Sequence, residues 1–168
     1  IKYGGYALTK SQLVKSFAKN ITLLSKMGIK VVVVHGGGPQ IEKELRKRKI
    51  KDREFQGLRI TTKKILAIVK SILARQLNKM ILNEINKCGG NAKSINGINT
   101  KIIKAKFMMG GKLGFVGEPT SLNKKYLSKL LSEGIIPIIS PIGYDNRKNS
   151  YNINADTAAG FIAESLQA

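Results

Sequence analysis

The chain has one cysteine, one histidine, no tryptophan and only ten acids against thirty lysines and arginines. The lone cysteine, Cys88, excludes an internal disulfide framework and suits a reducing cytoplasm, the expected location. It stands before Gly89-Gly90 at an expected helix end and reads as a bystander. No apolar run approaches the roughly 18 residues of a membrane span, and no signal peptide is visible. No membrane partner is therefore expected. What is present suffices for one domain with a real core: 168 residues, 42% of them apolar.

A net charge of +20 raises the question of nucleic acid. The lysines, however, are scattered through nearly every segment and are densest from Lys43 to Arg53. Lys, Ile and Asn together make up 58 of the 168 residues, and all three have A/T-rich codons. Codon bias accounts for the basicity. With few aromatics and no nucleic-acid module, no specific nucleic-acid partner is expected.

The chain is organised around Val31-Val32-Val33-Val34-His35-Gly36-Gly37-Gly38-Pro39-Gln40. Four β-branched residues suit a strand buried on both faces. The glycines and the helix start that follow can bring free N–H groups up to an anion. Gly38-Pro39 itself reads as turn and helix-start chemistry. Around this centre, Ile1-Lys2-Tyr3-Gly4-Gly5 reads as the end of a strand, truncated upstream, and a first glycine turn. Leu13, Phe17, Ile21 and Leu24 space a helix that Gly28 stops. A helix from about Gln40 to Lys49 follows the central loop, and Arg53 to Ile60 is less regular.

Ile65, Ile68, Ile72, Leu73, Leu77, Ile81 and Ile85 predict one long helix from Thr61 to Gly89. Three strand-like pieces follow, Ala92–Ile95, Lys101–Phe107 and Lys112–Val116, with a hairpin expected between the last two. A helix near Lys124–Ser132 leads to the apolar strand Ile135–Ile139, a turn at Tyr144–Asn149 and a last helix to Leu166. The alternation predicts a three-layer α/β/α sandwich with a largely parallel open sheet. Ligands of such sheets gather at the carboxyl ends of the strands, where both glycine loops and Asn152–Asp156 fall. Neither loop is a G-x-G-x-x-G or P-loop motif. N–H donors, a lysine and polar groups at one edge are nevertheless what phosphoryl transfer needs.

Five segments, in order and at this spacing, carry a resemblance: Lys2-Tyr3-Gly4-Gly5, His35–Ile41, Gly57-Leu58-Arg59-Ile60-Thr61, Leu113–Glu118 and Tyr151–Asp156. Over its whole length the chain resembles the acetylglutamate kinases of the amino-acid kinase family. The resemblance implies ATP-dependent phosphorylation of the side-chain carboxylate of N-acetyl-L-glutamate, a step of arginine biosynthesis. It implies Mg²⁺ held mainly by the nucleotide phosphates, and a homo-oligomer of at least two chains. Residues 1–168 would be a single domain, the amino-acid-substrate half, with the nucleotide-binding half absent from this chain.

Carried over residue by residue, Lys2 would lie against the transferring phosphoryl group and Asp156 would orient lysines. Gly4 and Gly5 would approach the ATP phosphates, and Gly36 and Gly37 would offer N–H groups to phosphoryl and acceptor oxygens. Arg59 would grip the substrate α-carboxylate, while Asn152 and Asn154 would supply neutral amide contacts. The acceptor carboxylate, with an ordinary pKa of about 4.3, is ionised and needs no base. His35 therefore reads as structural. Asn154 also reads as an N-cap for the last helix, and Arg59 alone as a surface arginine. The site is expected to be short of acids, which would favour an acylated over a free amino group.

The chain departs from the family's pattern at Gly97-Ile98-Asn99-Thr100, where a Gly-Lys-Asp-Gly element is usual, and at Asn20 and Lys70, where acids are common. The other reading of these residues is a non-catalytic amino-acid-binding or subunit-interaction module.

Overall fold

The computed structural model describes residues 1–97 and 100–168. Two of the departing residues, Ile98 and Asn99, lie outside the described residues. The chain begins with β1 (Lys2–Tyr3), α1 (Ser11–Lys26), β2 (Val33–His35) and α2 (Gly38–Lys47). A hairpin of β3 (Glu54–Phe55) and β4 (Leu58–Arg59) leads to α3 (Lys63–Lys70), a π-helical stretch over Ser71–Leu77 and α4 (Asn78–Lys87). Then come β5 (Ala92–Ile95), β6 (Ile103–Phe107), β7 (Gly117–Leu122) and α5 (Lys124–Ser132). The last elements are β8 (Ile136–Ile139), β9 (Ile142–Tyr144), β10 (Ser150–Asn152) and α6 (Ala155–Leu166).

β1, β2, β8 and β5 form a parallel sheet in the order β1-β2-β8-β5. Its side chains alternate between two cores. Val31, Val33 and Ile138 join the helices from α1 to α4, while Val34, Ile95 and Ile139 join α5 and α6. This is the expected α/β/α sandwich. Burial of Val33, Ile138 and Ile139 at 0% exposure explains why these strands read as continuous apolar runs.

A second sheet, ordered β10-β9-β6-β7, was not foreseen as such. β9–β10 and β6–β7 are antiparallel and β9–β6 is parallel. The expected hairpin exists but uses a different second strand: β6 pairs with Gly117–Leu122, while Lys112–Val116 lies in the connection. Pro119 within β7 is tolerated because β7 is the outer strand of its sheet. The β9–β10 turn closes on Asp145, whose carboxylate accepts the N–H groups of Arg147 and Asn149 at 2.9 Å and the Tyr151 hydroxyl at 2.7 Å. Burial alone would raise the Asp145 carboxyl, but these hydrogen bonds outweigh it and hold it below its ordinary value. Burial, with Asp145 beside it, pushes the Tyr151 phenol up to about 12.

The irregular stretch from Arg53 to Ile60 is the β3–β4 hairpin, turned by Gln56 (φ 49°) and Gly57 (φ 75°). Two successive positive φ values match the twist of a two-residue hairpin loop. The long helix keeps its expected span but changes pitch midway. The Asn78 N–H bonds the Leu73 carbonyl, five residues back. No helix among the described residues is long and apolar enough to cross a membrane.

Candidate active-site cleft

β1 and β2 run side by side, Lys2 opposite Val34 and Tyr3 opposite His35, so both glycine loops leave the sheet at one edge. The loops touch backbone to backbone. A Cβ on Gly5 would come within 2.9 Å of Gly37 N, Gly37 Cα and Gly38 N, so only glycine permits the approach. The Gly36 N–H donates to the Tyr3 carbonyl (2.9 Å), and Gln40 Nε2 donates to the Gly5 carbonyl (3.0 Å).

Over this edge lies a cleft of about 240 Å³ lined by Lys2, Gly5, Gly36, Gly37, Arg59, Asn152, Asn154 and Asp156, among others. All the site residues expected from the sequence meet here except Gly4. Gly4 does not line the cleft, although a Cβ there would stand 3.8 Å from Lys2 Nζ. Lys2 Nζ lies 3.1 Å from Asp156 Oδ1. Arg59, on β4, is 11% exposed at its side chain, and its Nε donates to both Asp52 oxygens at 2.9 and 3.0 Å. Its Nη2 is ion-paired more loosely with Glu54 Oε1, at 3.9 Å.

Asn152 Nδ2 donates to Thr61 Oγ1 (3.1 Å), and Thr61 Oγ1 donates to the Arg59 carbonyl (2.7 Å). The buried Thr61 thereby ties the hairpin that carries Arg59 to the strand that carries Asn152. Asn154 is the N-cap of α6: its Oδ1 accepts the N–H groups of Asp156 (2.8 Å) and Thr157 (3.1 Å). Its Nδ2 is what remains to offer the cleft. The expectation of a site short of acids is corrected, because Glu54 and Asp156 both line it. With Asp52 bound to Arg59, three carboxylates stand against the cations Lys2 and Arg59, despite the strongly basic chain.

Sequence reasoning missed Asp52, Glu54 and the linking role of Thr61. Thr61 ends the Gly57–Thr61 segment, but nothing in the pattern of that segment indicates that it bonds Asn152. His35 does not line the cleft. It is wholly buried beneath the second glycine loop, and burial pushes its pKa down to about 4 against the Gly36 hydrogen bond. Among the described residues no group of three His, Cys, Asp or Glu is placed to hold a metal ion. Lys70 Nζ donates to Ser150 Oγ at 3.1 Å, so this departure from the family pattern has a local partner.

Two glycine loops and a lysine at the carboxyl edge of an α/β/α sheet make an anion-binding edge, and the chain belongs to the amino acid kinase family, whose model matches residues 1–168. Its relatives include an acetylglutamate kinase of Chlorobaculum tepidum, 44% identical over 169 residues, and one of Clostridium acetobutylicum, 40% identical over 174. Each match takes in all of this chain and 59% of the relative, so the chain spans about three fifths of their length. A crystal structure of the protein smu.665 from Streptococcus mutans superposes with a TM-score of 0.92 at 28% identity, over 99% of this chain and 67% of that one. At 21% identity, the N-acetylglutamate synthase of Neisseria gonorrhoeae shares the fold with a TM-score of 0.87, over 99% of this chain and 38% of that one.

Proposed function

We propose that the chain is the amino-acid-substrate half of an acetylglutamate kinase, which transfers the γ-phosphoryl of ATP to the side-chain carboxylate of N-acetyl-L-glutamate. The product is N-acetyl-L-glutamyl 5-phosphate. The observation that carries this reading is the meeting of Lys2, Arg59 and the Gly36-Gly37 backbone in one cleft. The identity with acetylglutamate kinases supports the choice of substrate.

Each residue then has a physical task. The terminal nitrogens of Arg59 take the α-carboxylate, while Asn152 and Asn154 present uncharged amide groups to the acylated nitrogen. Gly36 and Gly37 direct N–H groups at the acceptor and the transferring oxygens, and Lys2 neutralises charge as it moves. Gly5, with Gly4 behind it, gives the nucleotide phosphates close access to backbone. The acceptor oxygen carries its own negative charge, so a buried, neutral His35 is not required as a base. Mg²⁺ belongs with the nucleotide phosphates on this reading, since the cleft offers only Glu54 and Asp156 as acids.

The test is calorimetric titration of the chain with N-acetyl-L-glutamate and with L-glutamate, beside a coupled assay of ADP release by the longer protein. Preferential binding of the acetylated compound, with turnover in the longer protein, is expected. Equal or absent binding of the two amino acids refutes the reading. Binding without turnover in the longer protein favours the non-catalytic module.

A further inference from the structure

Beneath the second glycine loop sits a closed polar cluster. His35, Asn78 and Ser140 are each at 0% exposure in the middle of an otherwise apolar core. His35 Nδ1 is 3.1 Å from the Gly36 carbonyl, and Nε2 is 3.2 Å from Ser140 Oγ and 3.3 Å from Asn78 Nδ2. Asn78 Nδ2 also donates to the Ile138 carbonyl (2.8 Å) and to Ser140 Oγ (3.0 Å), and Ser140 Oγ donates to the Leu73 carbonyl (3.2 Å).

The donors and acceptors fix the proton. A carbonyl can only accept, so Nδ1 must carry the hydrogen facing Gly36. The ring is neutral at ordinary pH, so Nε2 is an acceptor; with the Ser140 proton on the Leu73 carbonyl, its donor is the Asn78 amide, which shares its two hydrogens among Nε2, Ser140 Oγ and the Ile138 carbonyl. The widened π turn contributes by bringing the Leu73 carbonyl within reach of Ser140 and the Asn78 carboxamide beneath the loop. Leu73 and Leu77 of the same turn pack under Gly37, where a Cβ would fall 2.6 Å from either side chain.

We propose that His35 is a positioning residue: its Nδ1–H holds the Gly36 carbonyl inward and so turns the Gly37 N–H out into the cleft. The two groups belong to one trans peptide unit, in which C=O and N–H point in opposite directions. No backbone carbonyl among the described residues takes the Gly37 or Gly38 N–H. Gly37 lines the cleft, so this N–H is a preset donor for an anionic oxygen. Its use on the acceptor carboxylate or phosphoryl group rests on the proposed function, whereas the tautomer and the peptide orientation do not.

The experiment is nitrogen NMR on the labelled chain, read first at the His35 ring and then at the Gly37 amide during titration with N-acetyl-L-glutamate. Two variants accompany it: His35→Asn, whose side-chain amide can replace Nδ1–H, and His35→Leu, which cannot. We expect a neutral ring protonated on Nδ1, and a Gly37 signal that shifts with ligand in the parent and in His35→Asn. Affinity should stay within about threefold in His35→Asn and weaken about tenfold in His35→Leu, with the Gly37 shift lost. A ring protonated on Nε2, or an undiminished Gly37 shift in His35→Leu, overturns the proposal. If His35→Leu does not fold, a tenfold loss in folded His35→Asn overturns it instead. If the parent binds no N-acetyl-L-glutamate, the functional reading fails and the ring tautomer alone decides the positioning role.

Discussion

Lys2 Nζ stands 3.1 Å from Asp156 Oδ1, which joins the end of the edge strand β1 to the first turn of α6. The side chains are 37% and 72% exposed, so the pair is solvated and contributes within about 1 kcal/mol to stability. On the proposed function, its effect is to aim Lys2 across the cleft. Asp156→Asn should therefore leave the melting temperature nearly unchanged. In the longer protein it should lower kcat about tenfold or more while sparing amino-acid affinity. A melting scan and a steady-state assay check this, and a large loss of stability with normal kcat would reverse the assignment.

Arg59→Ala should weaken binding of N-acetyl-L-glutamate by about 1.5–3 kcal/mol, the range for a hydrogen bond to a charged group. Arg59→Lys should recover little, because a single ammonium lacks the planar fork that keeps Nε on Asp52 while its terminal nitrogens present a bidentate face to a carboxylate. Calorimetry on both variants reads this directly. The alanine variant should also lose some stability, since Asp52 is only 22% exposed and would keep a half-buried charge without its partner.

The two glycine loops offer a paired test of which glycines the cleft requires. Gly5→Ala sets a methyl against three backbone atoms at 2.9 Å, and backbone cannot swing aside as a side chain end can. A loss of about 2–3 kcal/mol is expected, with weaker ligand binding. Gly38→Ala meets nothing within 4 Å and lies at the start of α2, where alanine is a better helix former. It should be neutral or slightly stabilising. Denaturant titration of both proteins distinguishes them, and equal losses would mean that the loops are not packed as described.

The parallel sheet was legible because Val33, Val34, Ile136, Ile138 and Ile139 are buried in cores on both faces, which forces an apolar run. The cleft was legible for a different reason: its residues fall in short segments whose order and spacing resemble one family. The second sheet was not legible. β7 is an outer strand and carries Pro119 beside exposed polar residues, so it reads as a loop. The π turn left a faint trace, since Leu73, Leu77, Ile81 and Ile85 recur every fourth residue. Strict fours drift around an ordinary helix of 3.6 residues per turn, and wider turns hold them on one face. Pairings such as Asp52–Arg59 and Thr61–Asn152 depend on tertiary approach, and residue types alone do not fix them.

Stability should fall as pH drops from about neutral to 4, chiefly through His35. In the folded chain its pKa is about 4, against 6.5 for an unburied imidazole, because a charged ring cannot be solvated in the core. Between those values the unfolded chain takes up a proton that the folded chain refuses, so acid draws the equilibrium toward unfolding. The stabilisation is complete above pH 6.5, erodes as pH falls toward 4, and reaches about 3 kcal/mol at most. Asp145 adds a loss of the same sign, but its window lies below its ordinary value of 3.8, where its hydrogen-bonded carboxylate is finally protonated. The two are separable with His35→Asn, which has no titrating ring. Denaturant midpoints measured through this range should slope steeply in the parent and be nearly flat in the variant above pH 4. Parallel slopes in the two proteins would show that the ring takes up its proton while still folded, in which case the cluster beneath the glycine loop must open to solvent.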